Sequence, residues 1–104
     1  MKYMHMDIIK EFLVEREDKD KKKFTKRVLR QMYLYGLNKN QVIDFMNTEN
    51  CQLCGKKCEV TVDHDHKTGK IRGFLCQPCN SALGMAKDNI ELLQKMIDYL
   101  KERQ

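Results

Sequence analysis

The chain has no tryptophan, a single proline, Pro78, and only five glycines among its 104 residues. It has no apolar run approaching the roughly 20 residues that a bilayer-spanning helix needs, which excludes a helical membrane span. The methionine-rich start is interrupted by Asp7 and is followed by no cleavage-like site of the sort that ends a secretory leader. The expectation is a soluble, intracellular protein without membrane contact. Internal repeats and low-complexity tracts are also absent. At this length one domain with a helical annex is expected, with a modest core that a metal staple would help. A net charge of +5 with 34% charged residues favours an anionic partner, because a basic surface accelerates association with one.

Five cysteines are present, an odd count that, without a secretory segment, argues against a disulfide framework. Four form two Cys-x-x-Cys pairs, Cys51/Cys54 and Cys76/Cys79. A two-residue gap lets both thiolates of a pair turn toward one ion, and two pairs complete a tetrahedral four-sulfur zinc shell. Such a shell is closed to water and substrate, so this Zn²⁺ is structural. Cys58 is left over and reads as a small apolar residue or spare thiol, although it can in principle replace Cys54.

Between the pairs lies a 21-residue excursion containing Asp63-His64-Asp65-His66. Val60 and Val62 alternate with polar residues as a short strand does, Lys67-Thr68-Gly69-Lys70 is turn chemistry, and Ile71 to Leu75 is the return strand. After Pro78 a helix over Asn80 to Ala86 is expected, with Cys79 and Asn80 in its first turn. The expected order is therefore strand, turn, strand, helix around a polar cluster. Asp63 and Asn80 offer the oxygen ligands that a hard cation such as Mg²⁺ prefers. His64 can act as general base, since imidazole titrates near working pH. In a regular strand, however, Asp63 and His64 face opposite ways, so their cooperation requires a bulge or twist between them.

Val62-Asp63-His64-Asp65-His66, Gly69-Lys70-Ile71-Arg72-Gly73-Phe74-Leu75-Cys76, Cys79-Asn80 and Leu83-Gly84 together resemble the recombination endonuclease VII family, a zinc-containing branch of the HNH, or ββα-metal, nucleases. The resemblance covers about the last half of the chain. It implies an α+β fold in which a small zinc-stabilised ββα-metal core carries helices before and after it. It further implies that Asp63 and Asn80 bind a catalytic Mg²⁺ or Mn²⁺, that His64 activates water and His66 assists, and that Cys51, Cys54, Cys76 and Cys79 hold zinc. A phage or prophage origin is implied as well. The chain departs from the family's founding enzyme at Leu83, where a glutamate is expected.

The rest of the chain reads as support. Residues 1–48 form a helical amino-terminal region, 49–87 the zinc-bound core and 88–104 a carboxy-terminal helix. Asp7 is expected to cap a first amphipathic helix bearing Ile8, Ile9, Phe12 and Leu13, with His5 incidental before it. Glu15 to Lys23 is an uninterrupted charged run, a solvated connector or helix end. Lys21 to Lys23 with Lys26, Arg27 and Arg30 can alternatively form a phosphate-contacting stripe. Phe24, Val28, Met32 and Tyr35 share one side of a second helix that Gly36 ends. Asn38 and Gln41 form a capping box for a third helix, with Val42, Ile43, Phe45 and Met46 apolar. Tyr33 and Tyr35 are expected in the core in preference to stacking on bases. Asp88 and Glu91 are a capping pair for the last helix, whose Ile90, Leu93, Ile97 and Leu100 make a narrow seam. That seam either packs on the amino-terminal helices or forms a homodimer contact.

The function expected is a divalent-metal-dependent DNA endonuclease hydrolysing phosphodiester bonds. Lys67, Lys70 and Arg72 are the candidate phosphate contacts; Arg72 can equally pair with a nearby aspartate. The alternatives are a non-catalytic zinc module that binds nucleic acid and a protein-interaction module in which zinc only staples the fold.

Overall fold

Local capping signals divide the amino-terminal half into three helices. In the computed structural model, residues 5–13 and 18–104 are described, with side chains from 22 onward in the second helix. The first helix, α1 (Met6–Phe12), starts at His5 in a left-handed conformation (φ 64°) with no side-chain cap. Asp7, expected as the cap, instead lies in the first turn, where a negative charge still complements the helix's positive end. Helix α2 (Asp18–Tyr35) begins inside the charged run, so the connector expected there is helical from Asp18. Residues 14–17 and the side chain of Lys21 lie outside the described residues. Gly36 ends α2 at φ 62°, and Leu37 N–H donates to the Met32 carbonyl at 3.3 Å, the bond that closes a glycine-capped helix. Helix α3 (Lys39–Asn47) has the expected capping box: Gln41 N–H donates to Asn38 Oδ1, and Asn38 N–H to Gln41 Oε1.

These helices bury one face. Ile9, Phe24, Val28, Met32, Val42, Phe45 and Met46 form a continuous core with Val60, Val62 and Phe74 of the strand region. Phe45 and Phe74 meet edge to face at 5.4 Å, and the Arg27 guanidinium lies 4.9 Å from the centre of the Phe45 ring. Tyr33 is 73% exposed, so the expectation that it is core fails: it lies one position from Met32 on a helix whose buried stripe is narrow.

Strands β1 (Thr61–His64) and β2 (Ile71–Leu75) pair antiparallel as a two-stranded sheet. Gly69 at φ 76° makes their turn, with Gly69 N–H donating to the Asp65 carbonyl and Asp65 N–H to the Lys70 carbonyl. Side chains occupy both outer edges. On β1, Val62 N–H donates to Gln31 Oε1 at 2.9 Å, and Arg27 Nη1 donates to the neighbouring Val60 carbonyl at 2.8 Å. On β2, Phe74 N–H donates to Gln52 Oε1, and Gln52 N–H to the Phe74 carbonyl. A Cβ on Gly73 would stand 2.6 Å from Gln52 Oε1, so that position favours glycine for close approach.

The fit of α2 to β1 follows from two rises. Four helical residues advance about 6 Å and two strand residues about 6.6 Å, so side chains four apart on α2 keep step with residues two apart on β1. Arg27 meets Val60, Gln31 meets Val62, and Tyr35 meets His64 with ring centres 5.0 Å apart.

Helix α4 (Gln77–Met85) begins at Gln77, before Pro78, which is earlier than expected because proline is favoured in a first helical turn. Helix α5 (Ile90–Glu102) is capped by Asn89, whose side chain accepts from Leu92 N–H. The expected cap, Asp88, sits one residue earlier in a left-handed conformation (φ 55°). No α5 residue is buried, and Ile90, Met96, Ile97 and Leu100 are exposed. The expected seam is present, and three of its four residues, Ile90, Ile97 and Leu100, are exposed among the described residues. Among the described residues the fold is a small α+β arrangement of five helices and one sheet, and no helix is long and apolar enough to cross a membrane.

Phe45 is fully buried and joins the helical core to the sheet. Phe45→Ala should destabilise the protein by about 4 kcal/mol, read as a fall in the denaturant midpoint.

Candidate functional site

Two tight turns bring four sulfurs together. Cys51-x-x-Cys54-Gly55 folds back so that Leu53 and Cys54 N–H groups both donate to the Cys51 sulfur at 3.4 Å, while Gly55 N–H donates to the Cys51 carbonyl. Cys76 is the N-cap of α4, which places Cys79 within its first turn. The ligand atoms of Cys51, Cys54, Cys76 and Cys79 all lie within 4.8 Å of one another, and Cys54 and Cys76 sulfurs are 3.9 Å apart. A tetrahedral zinc with Zn–S bonds of about 2.3 Å sets its sulfurs about 3.8 Å apart, so this cluster could hold a zinc ion. Cys58 lies outside the cluster, in keeping with the spare-thiol reading.

The thiols differ in how readily they ionise. Burial is the largest influence on Cys51 and pushes its pKa up. Hydrogen bonds from the Cys76, Cys54 and Leu53 backbone and the Cys54 side chain outweigh it and bring the value down to about 6. Hydrogen bonding to the Cys76 sulfur, reinforced by burial and by the Cys54 and Cys51 sulfurs, pushes Cys79 up to about 12. Burial, and then the nearby Cys76 sulfur, raise Cys58.

A register irregularity falls between Asp63 and His64, but its extra residue is on β2 and it does not bring the two side chains into one cleft. Asp63 pairs with Gly73, but His64 pairs with Ile71, so Arg72 is an extra residue in β2 and the ladder bulges there. Asp63 is buried, 6% exposed. Arg72 Nε and Nη2 donate to its two carboxylate oxygens at 2.9 and 2.8 Å, and Nη2 also reaches Asp88 Oδ1 at 3.2 Å. Of the two roles open to Arg72, the ion pair is the one present. Its pKa is raised by Asp63 first, against burial, with help from Asp88.

On the opposite side, His64, His66 and Asn80 line one cleft of about 540 Å³. Its walls come from α2 (Arg30, Gln31, Leu34, Tyr35), the β1 region (Thr61, Val62, His64, His66) and α4 (Gln77, Asn80, Ser81, Gly84). The His64 ring centre lies 5.0 Å from that of Tyr35 and 4.6 Å from that of His66. Asn80 Nδ2 donates to the Val62 carbonyl and to Thr61 Oγ1, each at 3.0 Å. Because a carbonyl only accepts, this bond fixes which end of the amide is nitrogen and leaves Oδ1 as the outward acceptor. Asp63 does not line the cleft, but Asn80 grips the peptide that joins Val62 to Asp63.

Asp65 serves the turn. Its Oδ1 accepts from Lys67 and Thr68 N–H, and these bonds, the Lys67 one first, lower its pKa. Lys67 and Lys70 are exposed at the turn. Leu83 is half-buried on α4. Sequence reasoning missed Gln31 and Gln52 as edge partners and Tyr35 as the neighbour of His64. The only trace of the α2 set was the four-residue spacing of Arg27, Gln31 and Tyr35, which coincides with the helix's apolar repeat.

Residues 26–102 match the family described as recombination endonuclease VII. The chain belongs to that family. A "Gene 59 protein" of Mycobacterium phage D29 is 53% identical over 57 residues, 50% of this chain and 34% of the relative. The "Gene 59 protein" of Mycobacterium phage L5 is 46% identical over 65 residues, 58% of this chain and 39% of the relative. The chain thus spans less than two-fifths of the length of either phage protein. No solved structure matches it.

Two outcomes follow from this geometry. Zinc binding requires thiolates, and Cys79 is protonated at neutral pH, so uptake should release protons and weaken as pH falls. Titration calorimetry in buffers of different ionisation enthalpy measures that release. Arg72→Ala strands the Asp63 carboxylate in a buried position and should cost about 2 kcal/mol in chemical denaturation. The figure is below that of a fully buried pair because the Arg72 side chain is 34% exposed.

Proposed function

We propose that the chain carries the active site of a divalent-metal-dependent DNA endonuclease of the HNH, or ββα-metal, kind. The observation that carries this reading is the meeting of His64, His66 and Asn80 in one cleft beside a four-cysteine cluster, on a chain of the endonuclease VII family.

His64 is the general base. It takes a proton from a water whose oxygen attacks the phosphorus, and the bond to the leaving sugar oxygen breaks as that oxygen gains a proton. The Tyr35 and His66 rings restrict the swing of the imidazole, which favours one approach to the water. His66 lies close enough to share or relay the proton. Asp63 and Asn80 are the residues that would hold Mg²⁺ or Mn²⁺. Asn80 Oδ1 is left as an acceptor, whereas Asp63 stands outside the cleft with both oxygens on Arg72, so it joins Asn80 at an ion only when that pair opens. Such an ion, when bound, supplies Lewis-acid stabilisation of the phosphoryl and leaving oxygens. Lys67 and Lys70 at the turn contact backbone phosphates, which positions DNA without reading its sequence. The four cysteines hold zinc and keep the two ends of the excursion together. Paired cuts would use a second copy of the chain, with the exposed seam of α5 as the contact surface.

The test is cleavage of supercoiled plasmid by zinc-loaded protein with Mg²⁺ or Mn²⁺. The wild type should nick or linearise it, and His64→Ala, with its zinc retained, should be slower by at least about 100-fold. A folded, zinc-loaded wild type that cuts neither plasmid nor branched DNA would leave a binding module as the function.

A further inference from the structure

Two arginines near the site have opposite circumstances. Arg72 is committed to Asp63 and Asp88. Arg30 lines the cleft, is exposed, and takes part in no ion pair among the described residues. Among the described residues it is the only Lys, Arg, Asp or Glu in the cleft's lining, so their formal side-chain charge there is positive and comes from α2.

The placement of Arg30 is built into the packing. The three-step match of Arg27, Gln31 and Tyr35 to Val60, Val62 and His64 locks both the rotation and the height of α2 against β1. Arg30 immediately precedes Gln31, and its companion one turn on, Leu34, lines the same cleft. A helix held at three points cannot turn Arg30 away without breaking two hydrogen bonds and a ring contact. A planar guanidinium with no carboxylate partner among the described residues is suited to gripping two oxygens of a phosphate.

We propose that Arg30 is a phosphate-binding residue of the cleft, holding a DNA backbone phosphate opposite His64 and Asn80. The inference rests on the nuclease reading for the identity of the ligand, and it assigns part of the site to helix α2, outside the zinc-bound core. Arg27 of the same charged face is instead structural, bound to the Val60 carbonyl and set against Phe45.

The experiment is fluorescence anisotropy of a short labelled DNA duplex with zinc-loaded full chain, without Mg²⁺ or Mn²⁺, over a series of salt concentrations. Arg30→Ala should bind about tenfold more weakly, and its slope of log affinity against log salt should be shallower by about one. Arg30→Lys should recover the slope but only part of the affinity. Lys95→Ala on α5, which removes the same charge elsewhere, should stay within about twofold of wild type. Arg30 is exposed, so the thermal transition of Arg30→Ala should match wild type and exclude misfolding. If Arg30→Ala binds like Lys95→Ala, the inference is overturned even where the wild type cuts DNA. If Arg30→Ala loses binding as expected but the wild type cuts nothing with Mg²⁺, the phosphate contact stands and the nuclease reading falls. A wild type without affinity for the duplex overturns the phosphate contact, while the nuclease reading stands or falls on cleavage of plasmid and branched DNA.

Discussion

Four sulfurs drawn from two turns on either side of a 21-residue excursion meet within 4.8 Å, and the geometry of the site depends on that closure. The entropy lost in joining the ends of such a loop grows only slowly with its length, so a metal joining them can hold a long hairpin nearly as effectively as a short one. The first pair does more than close the loop. Gln52, between its two cysteines, bonds to both polar groups of Phe74, so the turn that would hold metal also fixes β2. The second pair starts α4 and thereby delivers Asn80 to the carbonyl of Val62. The cysteine cluster, sheet and cleft are consequently one mechanical unit.

Within that unit, one extra residue separates two kinds of chemistry. The bulge at Arg72 leaves Asp63 facing a guanidinium in a buried position, while His64, its immediate neighbour, lines the cleft. Period-two alternation already sends adjacent residues to opposite faces; the bulge adds the reach by which Arg72 grasps Asp63. The carboxylate is thereby oriented by a forked partner. Asp88 extends the same pairing to the join between α4 and α5.

Much of this arrangement was legible in the sequence where the signals are local. The cysteine spacing, the Asn38–Gln41 capping box, the glycine stops at Gly36 and Gly69, and the range of β2 each depend on a few neighbouring residues, and each is present. The misplaced caps at Asp7 and Asp88 are errors of one or two positions, since several residues near a helix start can accept its first N–H groups. Long-range partners were not legible. Arg72 offered a phosphate clamp and an ion pair with equal force, and only the fold brings Asp63 and Asp88 to it. Tyr35 matched the apolar repeat of α2, yet it also belongs to the stripe that keeps step with β1, because a residue can share both spacings. The α5 seam was visible, but a seam does not name its partner.

The side-chain bonds at Val62 and Phe74 have a consequence for association. A two-stranded hairpin ordinarily leaves two open margins on which a further strand can grow. Here Gln31 and Asn80 occupy the outward groups of Val62, and Gln52 those of Phe74. Each amide mimics the peptide of an absent neighbour while having no chain of its own to propagate the ladder. The sheet is thereby terminated on both sides at its middle, and any strand arriving from another molecule must first displace glutamine or asparagine anchored on the helices and the cysteine turn.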